Sequence, residues 1–278
     1  MSQPISSNIM RPTALPQIEA RIAKWSHVCY QRHSHDEFSF GIIDSGMARY
    51  DNHVRQHQIG RGDVVTINPA DMHSCNPHQG EWSYRMLFVD TLWMGQMQQE
   101  VLGRRQMDYY AFIADFERRT DFSVQFEQLF AALMQEQDAL SAHTLMYEFI
   151  ERLYTPSALV TDGSPLATQR KRAPDYLLRA RERLFDEIDQ SVGLDALANE
   201  VGVSPYHLIR TFKQYFGLSP HAYLMDERIK RAKQLLKQGE TIVDTSLALG
   251  FADQAHFQRS FKSRIALTPK KYQSFFTL

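Results

Sequence analysis

From about Ala20 to Asp90 the apolar residues come in short runs broken by turn residues. Phe38–Ile43, Val64–Ile67 and Met86–Val89 are separated by Asp44-Ser45-Gly46, Asp51-Asn52, Gly60-Arg61-Gly62 and Asn68-Pro69. Many short strands with frequent turn signals predict a small barrel or sandwich. After Asp90 the period changes. Val124–Leu140 places Phe126, Leu129, Phe130 and Leu133 at helical spacing, and Thr144–Tyr154 does the same with Leu145, Phe149 and Leu153. Two readings of these stripes stay open: packing against the β domain, and a dimerisation face. Thr155–Ala173 has no period, contains Pro156, Gly163 and Pro165, and ends in Arg170-Lys171-Arg172. It predicts a linker. From Pro174 onward the pattern is helical throughout.

The last third repeats itself at an offset of 49 residues. His207-Leu-Ile-Arg210-Thr-Phe212-Lys213 matches His256-Phe-Gln-Arg259-Ser-Phe261-Lys262, Leu218-Ser219-Pro220 matches Leu267-Thr268-Pro269, and Tyr223 matches Tyr272. A repeat of this length is a duplicated supersecondary unit. Each copy predicts two helices and a turn. In the first, Leu194–Val201 is a short helix ended by Gly202, and Ser204 caps a second helix with Pro205 in its first turn. In the second, Val243–Leu249 is the short helix, Gly250 the break and Asp253 the next cap. Arg228–Gln238 predicts a helix joining the copies. Its Arg228, Lys230, Arg231, Lys233 and Lys237 fit either a solvated face or phosphate contacts.

Charge sharpens this division. The net charge is −1, but residues 1–160 carry 13 basic and 19 acidic side chains (−6) and residues 161–278 carry 18 and 13 (+5). A basic segment with paired helices points to nucleic acid. On the second helix of each copy, Tyr206, Ile209, Arg210 and Lys213, and Gln254, Gln258, Arg259 and Lys262, fall on exposed sides. Arg and Gln bind guanine and adenine edges bidentately in the major groove, and lysines one turn on suit phosphates.

Residues 174–278 resemble the double helix-turn-helix DNA-binding domain of the AraC/XylS family of bacterial transcription regulators. The resemblance rests on Ala248-Leu-Gly-Phe251, His256-Phe-Gln-Arg-Ser-Phe-Lys262, Thr268-Pro269 and Tyr272. It implies base contacts from Tyr206, Ile209, Arg210, Gln254, Ala255, Gln258 and Arg259; the phosphate contacts expected of Lys213 and Lys262 rest on their position one turn further along. One position departs: the family usually has glycine before the Thr-Pro, where this chain has Ala266. A positive φ there would strain or reshape the turn.

In the N-terminal part, His33-Ser-His35-Asp-Glu37 precedes an apolar run, and His73 follows later. If the stretch is extended, residues 33, 35 and 37 share a strand face. The pattern resembles a cupin barrel and the sensor half of many AraC-type regulators. Cupin metal sites place three or four residues between the second histidine and the glutamate; here there is only Asp36. Two functional readings and a bracing role therefore compete. His33, His35, Glu37 and His73, with Arg85 nearby, line a pocket for a small polar effector; or the first four ligate a divalent metal; or they only brace the barrel. No other cofactor is expected.

The composition excludes other classes. Hydrophobic residues make up 43% of the chain, so both halves can bury cores, and Cys29 and Cys75 alone make neither a disulfide framework nor a Cys-rich zinc module. No apolar run reaches the roughly 18–20 residues of a membrane span. Met1–Pro12 lacks a signal-peptide pattern. The expectation is a cytoplasmic two-domain α+β protein: a cupin-like β-barrel with packed or dimerisation helices (1–155), a linker (156–173) and an all-α domain of two helix-turn-helix units (174–278). Its expected role is sequence-specific, effector-modulated transcription regulation without enzyme activity. Its expected partners are double-stranded DNA, a small-molecule effector, RNA polymerase and a second copy of the chain. The competing classes are a cupin enzyme with a DNA-binding tail and a DNA-binding protein that senses nothing.

Overall fold

The computed structural model describes residues 6–53, 55–103, 109–135, 139–154 and 173–276. The expected linker lies outside them except for Ala173. Two compact units divide the described chain: one takes 6–28, 35–71 and 75–154, the other 29–34, 72–74 and 173–276. No helix among the described residues is long and apolar enough to cross a membrane.

The first unit is β-rich. Its strands are β1 (Ser6–Met10), β2 (Ile18–Ser26), β3 (Phe38–Ser45), β4 (Met47–Asn52), β5 (Arg55–Gly60), β6 (Val64–Ile67), β7 (His73–Pro77, whose first two residues are grouped with the other unit), β8 (Trp82–Val89) and β9 (Phe116–Glu117). They form a six-stranded sheet in the order β1-β2-β8-β3-β6-β9 and a three-stranded sheet in the order β5-β4-β7. Gly46, at φ 80°, makes the sharp turn from β3 to β4, where a Cβ would come within 2.6 Å of the Glu81 carbonyl oxygen. Three helices follow the strands: α1 (Thr91–Leu102), α2 (Thr120–Met134) and α3 (Ala139–Tyr154). Asp90 caps α1 by accepting from the Trp93 N–H at 2.9 Å.

Strand alternation divides the large sheet into two faces. Ile18 and Ala20 of β2, Phe38, Phe40 and Ile42 of β3, and Leu87 and Val89 of β8 share one core with α2 and α3. Phe126, Leu129, Phe130 and Leu133 of α2 and Phe149 of α3 are buried in it, and the Phe149 ring stacks on Phe40 at 4.7 Å. Truncating such a residue to alanine costs about 3–5 kcal/mol. These stripe positions are therefore spent inside the unit's own core.

The second unit is helical. Its elements are α4 (Asp175–Asp186), α5 (Leu194–Glu200), α6 (Pro205–Phe216), α7 (Pro220–Lys237), α8 (Ile242–Ala248), α9 (Gln254–Ile265) and α10 (Pro269–Gln273). The repeat is visible in detail. α6 and α9 are both twelve residues long. Phe212 packs edge-on against Tyr223, and Phe261 against Tyr272, with ring centroids 5.5 Å apart in both copies. The joining helix starts eight residues earlier than the charge pattern indicates. Ser219 accepts from the Ala222 N–H at 3.4 Å and Pro220 fills the first turn, so Leu218-Ser219-Pro220 is a helix start, as is its copy at Thr268-Pro269.

Candidate functional site

α6 and α9 have the same construction. Ser204 accepts from the His207 N–H at 3.3 Å and Asp253 from the His256 N–H at 2.6 Å, so each helix begins at a side-chain cap. Each ends in a left-handed residue. Gly217 (φ 78°) donates its N–H to the Lys213 carbonyl at 2.9 Å, and Ala266 (φ 61°) donates to the Lys262 carbonyl at 2.8 Å. The positive φ that the family glycine would supply is thus adopted by alanine. Leu208 and Phe212, and Phe257 and Phe261, anchor the inner faces.

The outer faces carry the residues singled out from sequence. Tyr206, Ile209, Arg210 and Lys213 are exposed on α6, and Gln254, Ala255, Gln258, Arg259 and Lys262 on α9. Tyr206 is 76% accessible despite its large ring. From residue 206 to 213 an α-helix rises about 10 Å, so these side chains form one ridge over two turns. Neither helix contains an aspartate or glutamate. Among the described residues Arg210, Lys213, Arg259 and Lys262 are in no ion pair. Uncommitted cations and amides on an acid-free ridge suit a polyanion whose base edges accept and donate hydrogen bonds.

Two supporting groups were not legible in the sequence. The Tyr176 hydroxyl lies 3.1 Å from His207 Nε2 and donates to Thr211 Oγ1 at 3.1 Å, which ties α6 to α4. Arg228 is buried, and phosphate contact is excluded for it. Its Nε donates to the Ile188 carbonyl at 2.6 Å, Nη2 to Gln190 at 2.7 Å and Nη1 to Gly250 at 2.9 Å. One guanidinium thereby joins the chain after α4 to the break after α8. Lys230 is also drawn in, 2.7 Å from Glu227. Asp226 is buried 3.7 Å from the Arg264 guanidinium, and burial raises its carboxyl above the usual range.

The residues expected around an effector are distributed as follows. His33 and His73 belong to the segments grouped with the helical unit. They exchange backbone hydrogen bonds at 3.0 Å and their rings are 4.5 Å apart. His35, Glu37 and Arg85 belong to the β-rich unit. Residues 33, 35 and 37 do not share a strand face, because the chain bends at Asp36 and Glu37 and β3 starts only at Phe38. The bend turns the His35 ring back, with Nδ1 2.8 Å from the Glu37 carbonyl and Nε2 3.2 Å from Ser39 Oγ. Arg85 lies on the helix-packed face of β8, held by Asp44 at 2.6 Å and by Glu127 Oε2 at 2.7 Å. Both bonds raise its pKa against the opposing effect of burial. Among the described residues no three His, Cys, Asp or Glu side chains are placed to hold a metal ion, so His33, His35, Glu37 and His73 do not fit a cupin metal centre.

Known proteins match both units. Residues 15–150 match the AraC-like ligand binding domain and residues 197–274 the helix-turn-helix domain. The chain is 29% identical over 228 residues to the uncharacterized HTH-type transcriptional regulator YbfI of Bacillus subtilis, covering 82% of this chain and 81% of that one. It is 35% identical over 86 residues to the probable transcription factor PqrA of Proteus vulgaris, covering 31% of this chain and 70% of that one. Among solved structures, ToxT from Vibrio cholerae O395 aligns with a TM-score of 0.55 at 13% identity, over 94% of this chain and 98% of that one. At that identity the likeness concerns the fold.

Proposed function

The chain belongs to the AraC family of helix-turn-helix transcriptional regulators, and on that footing we propose that α6 and α9 are its two DNA-reading helices. The observation that carries this reading is the duplicated ridge: two capped helices of equal length, free of acids, with uncommitted cations at matching positions. Arg210 and Arg259, with Gln254 and Gln258, read base edges. Tyr206, Ile209 and Ala255 offer apolar contact, suited to thymine methyl groups. Lys213 and Lys262 sit on phosphates. Residues 174–278 form the DNA-binding domain, 156–173 the linker and 1–155 the effector domain.

The regulator acts by binding rather than by catalysis, in the cytoplasm, with RNA polymerase and a second copy of the chain as further partners. Effector binding shifts the population between two states that differ in their presentation of the reading helices. His35 is kept as an effector contact. Hydroxyl-radical footprinting of the full chain on a DNA site selected from a random pool tests the reading. The expected result is two protected segments about one helical turn apart on one face of the duplex. A single protected segment, or no site enriched over random sequence, would overturn it.

A further inference from the structure

α6 is held from the side of α4 by a closed circuit of hydrogen bonds. Tyr176 of α4 is half-buried, and its hydroxyl meets two residues of α6, His207 Nε2 and Thr211 Oγ1, each at 3.1 Å. Thr211 Oγ1 in turn donates to the His207 carbonyl at 2.7 Å. A hydroxyl carries one proton, which sets the order of the bonds. The threonine proton goes to the carbonyl and the tyrosine proton to the threonine, so His207 Nε2–H donates to the tyrosine oxygen. His207 and Thr211 lie one turn apart on α6 and bracket Arg210 in the chain.

The core beneath α6 does not fix its rotation so closely. Leu208 and Phe212 share a core with Leu177, Ala180 and Leu184 of α4, and apolar attraction has no preferred direction. A helix with its side chains is about 5–6 Å in radius, so a rotation of about 15° carries its outer edge about 1.5 Å. That is enough to spoil a bidentate contact with a base, because hydrogen bonds weaken steeply with distance and angle. The circuit adds the directional restraint that the core lacks. α9 is held by other means. At the 49-residue offset of the repeat, the place of Tyr176 is taken by Met225, which is buried in α7 and has no hydroxyl. His256, the counterpart of His207, meets the Phe251 ring edge-on at 5.4 Å.

We propose that Tyr176 is a positioning residue for DNA recognition: through His207 and Thr211 it sets the rotation of α6, and with it the reach of Arg210 to its base pair. The inference rests on the reading that α6 and α9 are the DNA-reading helices. The two segments of the DNA site are then read under unequal restraint. Loss of one hydroxyl, on a helix that carries none of the reading residues, relaxes base preference in the segment read by α6 and leaves the segment read by α9 as it was. A residue that only stabilised the unit would affect both segments alike.

Fluorescence anisotropy of the full chain on a DNA site selected from a random pool, and on each single-base-pair variant of that site, tests this. Arg210→Ala and Arg259→Ala first identify the segment that each helix reads. Tyr176→Phe and Thr211→Val should then each reduce discrimination in the Arg210 segment by about threefold to tenfold, the net effect of one hydrogen bond. Neither should change the Arg259 segment. Thr211→Ser, which keeps the hydroxyl, should discriminate as the parent chain does. Tyr176→Phe added to Arg210→Ala should cost nothing further in that segment, whereas added to Arg259→Ala each loss should persist in full. Far-UV circular dichroism checks that the variants fold. Equal losses in both segments, no loss in either, or a loss that multiplies with that of Arg210→Ala would overturn the proposal. If the two arginine variants keep full discrimination, the reading of α6 and α9 fails and the positioning role with it; if they lose it and Tyr176→Phe does not, only the positioning role falls.

Discussion

Arg228 donates through Nη1 to the carbonyl of Gly250 at 2.9 Å, and Gly250 sits where no side chain fits. A Cβ there would lie 1.8 Å from the Asp189 carbonyl oxygen, and φ is 64°. The glycine that ends α8 is thus fixed by close packing as well as by its left-handed backbone. Gly250→Ala should cost about 3 kcal/mol, from a left-handed penalty of about 1–2 kcal/mol plus the clash. Arg228→Met keeps the bulk and strands three carbonyls, and should cost about 3 kcal/mol. Urea midpoints measure both. If Arg228→Met instead left the midpoint unchanged and flattened the salt dependence of DNA binding, Arg228 would be a phosphate contact after all.

Ala266 offers the opposite experiment. It adopts φ 61° where its repeat partner is Gly217. Ala266→Gly removes the left-handed penalty and should stabilise the chain by about 1 kcal/mol, offset in part by the freer unfolded backbone. A lowered melting temperature would show that the methyl group packs better than its backbone strain suggests.

The two thiols should behave differently. Burial, and then the Asp51 carboxylate, raises the Cys75 thiol far above its ordinary value of 9.0. Cys29 is exposed. Cys75 is half-buried, so at pH 8 a disulfide reagent should titrate Cys29 quickly and Cys75 slowly, with denaturant removing the difference. The folded value lies above the unfolded one, so the stability linked to Cys75 is complete below about pH 9 and declines as the pH rises further. Cys75→Ser should remove that part of the alkaline decline. A fast-reacting thiol in Cys29→Ser would contradict the assignment.

Local signals survived folding best. The caps Ser204 and Asp253, the breaks at Gly202 and Gly250 and the positive φ at Ala266 all depend on a few consecutive residues, and each can be found by eye. Long-range placement could not be read. Arg228 resembles the other cations of its helix, and only the fold brings the carbonyls of residues 188, 190 and 250 to it. The alternation Ile18-Glu19-Ala20-Arg21-Ile22 reads as a strand with one solvated face, yet both faces are buried. His33, His35 and Glu37 have the spacing of a strand face, but Asp36 and Glu37 bend the chain before β3 begins. On α2 and α3 a buried stripe and a dimer stripe look alike in sequence, and Phe126 and Phe149 turn out to be core.

The most direct test of the account is the binding of the full chain to its selected site and to a scrambled duplex across a salt series. Arg210→Ala and Arg259→Ala should each narrow the gap between the two duplexes by about 1–3 kcal/mol. Lys213→Ala and Lys262→Ala should weaken both duplexes alike and reduce the salt slope by about 1. The account fails if the arginine variants keep full preference for the selected site, or if the lysine variants lose affinity for that site alone.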